Sequence, residues 1–206
     1  MTKLSKLNIN EIERNGQWND IDPEITGIET NSTRVEKGNI FLAKAGATKN
    51  SHGVLFSNQA IERGASLVIT DPEGFKFALD KDLKPNIPFL LVRNLESTFD
   101  YLCQIFYPDK PKFVMGVTGT NGKTSVVNFS QQLIERKNNS CVTIGTLGVG
   151  GVLSLSTHNT TPDQPFIARI LQMAKLKGAD YALLEVSSHS IVPVSYTHLR
   201  AHETHN

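Results

Sequence analysis

The chain has 206 residues and a formal net charge of +1, with 39% hydrophobic, 20% charged and 7% aromatic residues. This composition is typical of a globular protein of one or two domains and excludes a disordered, collagen-like or membrane-embedded chain. The near-zero net charge produces no electrostatic field that would attract nucleic acid or anionic membranes nonspecifically, so we expect no nucleic-acid partner. Any anion that the protein binds would have to be held by a local site.

Hydropathy and cysteine content indicate the cellular compartment in which the protein resides. No run approaches the roughly 18 uninterrupted apolar residues of a membrane span, and the N-terminus lacks the apolar core of a secretory signal. We therefore expect a cytoplasmic protein without a membrane span. Cys103 and Cys141 are too few for a disulfide framework and are expected to be reduced, buried thiols.

The first half of the chain has the pattern of a mixed α/β module. Short apolar runs predict strands over residues 25–28, 40–43, 66–69 and 88–92. Helical spacing predicts helices over residues 57–63 and 97–106, the first with Ser57 as its N-cap and Gly64 beyond its end. A polar stretch bracketed by Pro108 and Pro111 predicts a domain boundary, so residues 1–108 are expected to fold as an independent unit.

The second half alternates strands and helices in the order typical of a parallel sheet with crossover helices. The predicted elements are a strand over 112–117, a loop over 118–122, a helix over 123–136, a strand over 141–144, a helix over 163–177 and a strand over 181–186. Gly178 follows the second of these helices as a stop signal. We expect this part of the chain, from residue 111 to about residue 192, to form a second α/β unit built on a parallel sheet.

The last residues, 193–206, have no periodicity and include three of the six histidines. The run S-Y-T-H-L-R-A-H-E-T resembles a recurrent artefactual tail that arises when sequence assemblies run into adapter-derived DNA. We therefore set residues 193–206 aside as a foreign tail. A His-rich metal tract is the alternative, but no Cys or acidic partner stands at ligand spacing.

Residues 116–125, G-V-T-G-T-N-G-K-T-S, lie between a predicted strand and a predicted helix. Gly119 and Gly122 allow the backbone to turn its N–H groups inward, and the helix contributes its positive dipole end. Lys123 would neutralise nucleotide phosphates, while the Thr124 hydroxyl would ligate Mg²⁺. Five residues instead of the four of the strict phosphate-loop pattern separate Gly116 from Gly122. The alternative is a glycine-rich turn without a ligand.

The run T-G-T-N-G-K-T-S resembles the ATP loop of the Mur ligases and the related folylpolyglutamate synthetases. These families are ATP-dependent ligases that form an amide through an acyl phosphate. The resemblance implies a small mixed α/β N-terminal domain, residues 1–108, followed by a P-loop-type parallel-sheet ATPase domain. Residues 111–192 would be the first part of that central ATP-binding domain, here truncated. It implies catalysis by Lys123 and ATP contacts by Gly119, Thr120, Asn121, Gly122, Lys123, Thr124 and Ser125.

Two further segments resemble the MurE type of this family. They are H-N-T-T-P at residues 158–162 and L-E-V-S-S-H at residues 184–189. The resemblance implies that Glu185 joins Thr124 as an Mg²⁺ ligand, and that the UDP-muramoyl-dipeptide is contacted by Asn159, Thr160, Thr161 and Ser187. The alternatives are a surface role for Glu185 and a helix-capping role for the segment at residues 159–161. His189 is interpreted as an orienting or packed histidine.

In the first half, N-S-T-R-V at residues 31–35, followed by Gly38, Ile40 and Phe41, resembles the family segment D-S-R-x-V-x-x-G-x-L-F. Asn31 replaces the family's Asp and Thr33 replaces its Arg. The resemblance implies a domain that holds the uridine end of the substrate through Thr30, Ser32, Ala47, Thr48 and Lys49. The alternative for Ser32 is an ordinary turn serine.

The resemblance covers roughly residues 20–192, and Pro193 and Ser195 stand where the family has a substrate-holding Gln and Arg. It implies a monomeric parent enzyme that adds diaminopimelate or lysine to UDP-MurNAc-L-Ala-D-Glu in peptidoglycan synthesis, with ATP and Mg²⁺. We expect this chain to be an incomplete and inactive fragment of that enzyme. A folylpolyglutamate synthetase-like ligase and a non-catalytic nucleotide-binding partner module are the alternatives.

Overall fold

The computed structural model describes residues 1–9, 11–14, 21–46, 51–83, 87–155 and 163–186. The chain divides into two compact units, Met1–Phe106 and Tyr107–Asn206. Within the described ranges, no helix is both long enough and apolar enough to cross a bilayer.

The described residues of the first unit form a five-stranded sheet, a separate pair of short strands and three α-helices. Its elements are β1 (Thr2–Lys3), β2 (Glu11–Arg14), β3 (Glu24–Ile25), β4 (Gly27–Glu29), β5 (Asn39–Ala43), α1 (Ser57–Glu62), β6 (Leu67–Thr70), α2 (Pro72–Asp80), β7 (Phe89–Val92) and α3 (Leu95–Phe106). The sheet order is β2-β7-β6-β5-β4, parallel except for the antiparallel β2, and β1 pairs separately with β3. Short 3-10 helices occupy Leu4–Lys6, Ser32–Arg34 and Gly53–Phe56.

The core of the first unit lies on both faces of its sheet. Every residue of β5, β6 and β7 is buried, which is why these strands read as continuous apolar runs instead of alternating ones. On one face Phe41, Val68 and Phe89 pack with Ala60 of α1 and Ala78 of α2. Burial of this kind stabilises a domain by roughly 25 cal/mol per Å² of apolar surface.

In the second unit, residues 107–155 and 163–186 form a four-stranded sheet and two α-helices. Its elements are β8 (Phe113–Val117), α4 (Lys123–Arg136), β9 (Cys141–Gly145), β10 (Gly148–Gly151), α5 (Gln164–Leu176) and β11 (Tyr181–Glu185). The order is β10-β9-β11-β8, with β9, β11 and β8 parallel and β10 antiparallel to β9. The parallel strands therefore direct their carboxyl ends to one edge of the sheet.

Helix α5 covers one side of this second sheet. Ile170 and Ala174 of α5 pack in one buried cluster with Val142 and Ile144 of β9 and Leu184 of β11. Asp163 caps the helix, because its carboxylate accepts a hydrogen bond from the Phe166 N–H at 3.4 Å. The predicted helical face of residues 166, 170, 171 and 174 is buried as expected.

The mixed α/β fold and its parallel sheets confirm the sequence prediction, but Ser57 is not an N-cap. Phe56 holds that position, and the Ser57 N–H is bonded to the Val54 carbonyl because the 3-10 helix Gly53–Phe56 runs directly into α1. The prediction that both cysteines are buried holds for Cys141, whereas Cys103 is partly exposed.

Four elements were absent from the sequence prediction: β1, β2, α2 and β10. The first two are short strands whose existence depends on a partner distant in sequence. Helix α2 carried a local signal, since Asp71 caps it by accepting from the Gly74 N–H and Pro72 is its first residue. Strand β10 is G-V-G-G, which has a low intrinsic preference for strand structure.

Candidate functional site

The loop between β8 and α4 has the backbone geometry that phosphate binding requires. Gly119 and Gly122 have φ angles of +147° and +82°, which residues with a side chain rarely adopt. Gly122 is the N-cap of α4, and a Cβ added there would meet nothing within 4 Å. Thr120, Asn121 and Ser125 are exposed. The loop is therefore open to solvent at a helix N-terminus, the place where anions bind to backbone N–H groups.

Lys123 is the first residue of α4, and its side chain turns back over the loop. Its Nζ donates hydrogen bonds to the carbonyl oxygens of Gly119 at 2.7 Å and Thr120 at 3.3 Å. The ammonium group is thus held above the same loop whose N–H groups would face a phosphate. A phosphate in this loop would offer the ammonium group charge-assisted hydrogen bonds, which are stronger than those to carbonyl oxygens.

Glu185 ends β11 and lies beside the turn that follows β9. Its Oε2 accepts hydrogen bonds from the Thr146 hydroxyl at 3.2 Å and the Thr146 N–H at 3.4 Å. In the strand register Glu185 is opposite Val117, the last residue of β8 before the phosphate loop. Glu185 and the phosphate loop are therefore at the same edge of the sheet, where open α/β sheets bind ligands.

Oxygen donors suitable for Mg²⁺ are present at this edge. The Glu185 carboxylate and the partly exposed Thr124 hydroxyl are hard oxygen ligands of the type that Mg²⁺ prefers. Within the described ranges no group of three or more His, Cys, Asp or Glu side chains could hold a metal. This donor set fits an ion that retains waters and is bound together with nucleotide phosphates, as Mg²⁺ commonly is.

In the first unit, Thr30 and Ser32 follow the carboxyl end of β4. The Ser32 hydroxyl donates to Gln59 Oε1 at 2.6 Å, and the Thr30 N–H donates to Glu29 Oε1 at 2.8 Å. The same Glu29 oxygen contacts the Arg34 guanidinium at 3.1 Å. The sequence analysis did not identify Glu29 or Gln59, because their contacts with Thr30 and Ser32 are set by the fold.

Several predicted substrate residues lie outside the described ranges. They are Ala47, Thr48, Lys49, Asn159, Thr160, Thr161 and Ser187, and the set-aside tail at residues 193–206 lies outside them too. Thr146, by contrast, is a described site residue that the sequence analysis missed. The sequence feature that could have indicated Thr146 is its position directly after Gly145, the last residue of a parallel strand. Loops at that position reach ligands in open α/β sheets.

Two family models match the chain. The model for the Mur ligase family catalytic domain matches residues 24–98, and the Mur ligase middle domain model matches residues 117–201. The first match covers most of the β4–α3 region and the second begins at the phosphate loop. The second match also enters the stretch 193–206 that the sequence analysis sets aside.

Curated relatives agree with these matches. The chain is 31% identical over 173 residues to the UDP-N-acetylmuramoyl-L-alanyl-D-glutamate–2,6-diaminopimelate ligase of Bacillus velezensis, covering 82% of the chain and 33% of the relative. It is 34% identical over 179 residues to a ligase of the same name, numbered 2, from Clostridium acetobutylicum, covering 84% of the chain and 35% of the relative. The chain thus spans about a third of the length of the curated relatives it matches.

A solved structure of a UDP-N-acetylmuramoyl-L-alanyl-D-glutamate–2,6-diaminopimelate ligase is also similar. It has a TM-score of 0.62 and 27% sequence identity, over 82% of this chain and 33% of that structure. Fold, phosphate-loop geometry and sequence similarity agree. The chain belongs to the Mur ligase family.

Proposed function

We propose that this chain supplies the UDP-substrate-binding and ATP-binding parts of a MurE-type ligase. That enzyme would join a third amino acid to UDP-MurNAc-L-Ala-D-Glu in peptidoglycan synthesis. The relatives named above as diaminopimelate ligases support this substrate and favour diaminopimelate over lysine. A soluble nucleotide-linked precursor fits a monomeric, cytoplasmic enzyme.

The main support for the proposal is that Lys123 and Glu185 lie at the same edge of the second sheet. Lys123 starts α4 directly after the phosphate loop, and Glu185 ends the neighbouring parallel strand. A cation on one side and a carboxylate on the other suit a metal-bound nucleoside triphosphate. A turn that only reverses the chain needs neither group.

The chemistry assigned to the site is phosphorylation followed by amide formation. The γ-phosphoryl group of ATP passes to the D-Glu side-chain carboxylate, which gives an acyl phosphate and ADP. The amine of the incoming amino acid then attacks the acyl carbon, so that phosphate and a proton leave and an amide remains. Lys123 and the loop N–H groups would bind the phosphates and stabilise the charge that develops during transfer. Mg²⁺, when bound, would neutralise phosphate charge next to Thr124 and Glu185.

The first unit is assigned to the uridine end of the substrate. Ser32 and Thr30 lie at the carboxyl end of the edge strand β4, and the hydroxyl oxygen of Ser32 keeps acceptor capacity beyond its bond to Gln59. Ala47, Thr48 and Lys49 are assigned to the same end. Asn159, Thr160, Thr161 and Ser187 are assigned to the muramoyl-dipeptide.

Nucleotide binding tests the ATP assignment directly. Titration calorimetry of the 206-residue chain with Mg·ADP should give a measurable Kd that Lys123→Ala weakens at least about tenfold, because a hydrogen bond to a charged group contributes roughly 1.5–3 kcal/mol. Lys137→Ala, at the opposite end of α4, is the matched control and should leave the Kd unchanged. Equal affinities for all three proteins would contradict the assignment of Lys123.

A product assay tests the reaction. A gene product extended to the length of the curated relatives should convert Mg·ATP, UDP-MurNAc-L-Ala-D-Glu and diaminopimelate to UDP-MurNAc-tripeptide, detected by mass spectrometry. The 206 residues alone should yield none, because transfer needs all three reactants held within reacting distance, an effect that contributes about 7–11 kcal/mol. Absence of tripeptide from the extended protein would refute the ligase assignment.

A further inference from the structure

The turn after β9 donates two hydrogen bonds to one oxygen of the Glu185 carboxylate. Thr146 donates both its hydroxyl and its N–H to Glu185 Oε2, at 3.2 and 3.4 Å. These residues are 39 positions apart in sequence and meet because β9 and β11 are parallel neighbours. The hydroxyl and the amide together restrict the carboxylate to a narrow range of orientations.

Gly145 provides the space in which that carboxylate lies. A Cβ built at residue 145 would come within 2.5 Å of Glu185 Oε1 and 2.6 Å of its Cδ. Real Cβ atoms do not approach other atoms so closely, so any larger residue would displace the Glu185 side chain. The other carboxylate oxygen, Oε1, therefore packs directly against the glycine backbone.

The position of the Glu185 carboxylate depends on the strand register. Glu185 is opposite Val117, which precedes the phosphate loop, while Leu184 is opposite Ile144, which precedes Gly145. The turn after β9 and the phosphate loop thus flank Glu185 at the same sheet edge. Holding a carboxylate in place before a cation binds removes part of the entropy cost of ordering it.

We propose that Gly145 and Thr146 are positioning residues that orient Glu185 toward the Mg²⁺ of a bound nucleotide. The inference rests on the proposed function, since it presupposes a nucleotide at the phosphate loop. Thr146 acts through Glu185 and does not itself touch the nucleotide. One carboxylate oxygen is occupied by Thr146, which leaves lone pairs on the other available for a cation.

The test compares ADP binding with Mg²⁺ and with EDTA for the 206-residue chain. The ratio of the two affinities measures the contribution of the metal. In Thr146→Val this ratio should fall about tenfold, in line with the effect of outer-shell partners on metal sites, while ADP affinity in EDTA stays unchanged. Thr146→Ser should restore the ratio to within about twofold of the wild-type value. Gly145→Ala should lower it as Thr146→Val does.

The controls separate positioning from folding. Thr143→Val makes the same chemical change three residues earlier, within β9 at a residue opposite Leu183, and should leave the ratio unchanged. If Thr146→Val keeps the wild-type ratio, or loses ADP affinity equally with Mg²⁺ and with EDTA, the positioning role is wrong while the nucleotide site stands. If the wild-type chain binds no ADP under either condition, the proposed function fails and the positioning role fails with it.

Discussion

His52 connects two helix N-termini within the first unit. Its buried ring accepts a hydrogen bond at Nδ1 from the Val54 N–H at 3.2 Å and places Nε2 3.2 Å from Asp71 Oδ1. Asp71 in turn accepts from the Gly74 N–H at 2.8 Å. The ring also stacks on Phe77 at a centroid distance of 5.9 Å. One side chain therefore joins the ends of a 3-10 helix and of α2.

Gly74 is needed for this packing, and Gly74→Ala should destabilise the first unit by about 1–3 kcal/mol. Alanine usually stabilises an exposed helix by roughly 0.5–1 kcal/mol relative to glycine. Here the added Cβ would collide with Thr70 Oγ1 and the His52 ring. Urea unfolding followed by circular dichroism measures the change. The exposed Lys76→Ala is the control, and a Gly74→Ala protein as stable as wild type would contradict the collision.

Cys141 should make the stability of the second unit fall at alkaline pH. Burial, and secondarily the nearby Glu135 carboxylate, raises the pKa of its thiol from 9.0 to about 11. The unfolded chain then loses this proton at lower pH than the folded chain, so the stability contribution is present below about pH 9 and lost as pH rises toward about 11. Urea unfolding at pH 8 and pH 10, followed by circular dichroism, should show a larger loss in wild type than in Cys141→Ala. Cys103→Ala should behave as wild type, and equal losses in all three proteins would contradict the prediction.

At the scale of elements, β8 and α4 expose an unusual amount of apolar surface. Phe113 and Met115 of β8 are 44% and 48% exposed, and Phe129 and Leu133 of α4 are 64% and 63% exposed. Among the described strands, β8 has β11 as its single neighbour. An apolar edge strand promotes association with other chains.

Met115→Lys should therefore reduce self-association of the 206-residue chain and raise its soluble yield. A lysine on an edge strand opposes pairing with another strand because its charge would have to be desolvated. Sedimentation velocity at several concentrations measures the effect. Leu147→Lys is the control, because Leu147 is 80% exposed in the turn after β9 and off the β8 edge. Equal self-association of Met115→Lys and wild type would show that β8 is not the associating surface.

At the scale of the whole molecule, the first unit should fold without the second. Met1–Phe106 is a compact unit with its own buried set, including Ile40, Leu42, Val68 and Leu90. Its N-terminal segment is joined to α3 within the unit, since the Asn8 N–H donates to the Tyr101 hydroxyl at 3.0 Å. Residues 1–108 expressed alone should unfold cooperatively and give a dispersed NMR spectrum. A gradual melt with a collapsed spectrum would overturn the expectation.

The sequence by itself determined the order and type of most elements and the identity of the phosphate loop. The parallel strands of the two sheets were predicted because continuous apolar runs bounded by turn residues are local signals, whereas the antiparallel β2 and β10 were not. Helix α4 was predicted with its observed bounds, Lys123–Arg136, because a glycine-rich loop precedes it and its spacing is regular. The motif at residues 118–125 carried the family resemblance without any structure.

Tertiary structure alone decided which distant groups meet. The bonds from Thr146 to Glu185 and from Ser32 to Gln59 join residues 39 and 27 positions apart, and they exist because particular strands and helices became neighbours. The antiparallel β10 likewise depends on pairing with β9, since its glycine-rich sequence has little strand preference of its own. Local sequence sets a residue's backbone preferences, whereas strand order and register set its contacts. The partner of Glu185 could therefore be identified only from the fold.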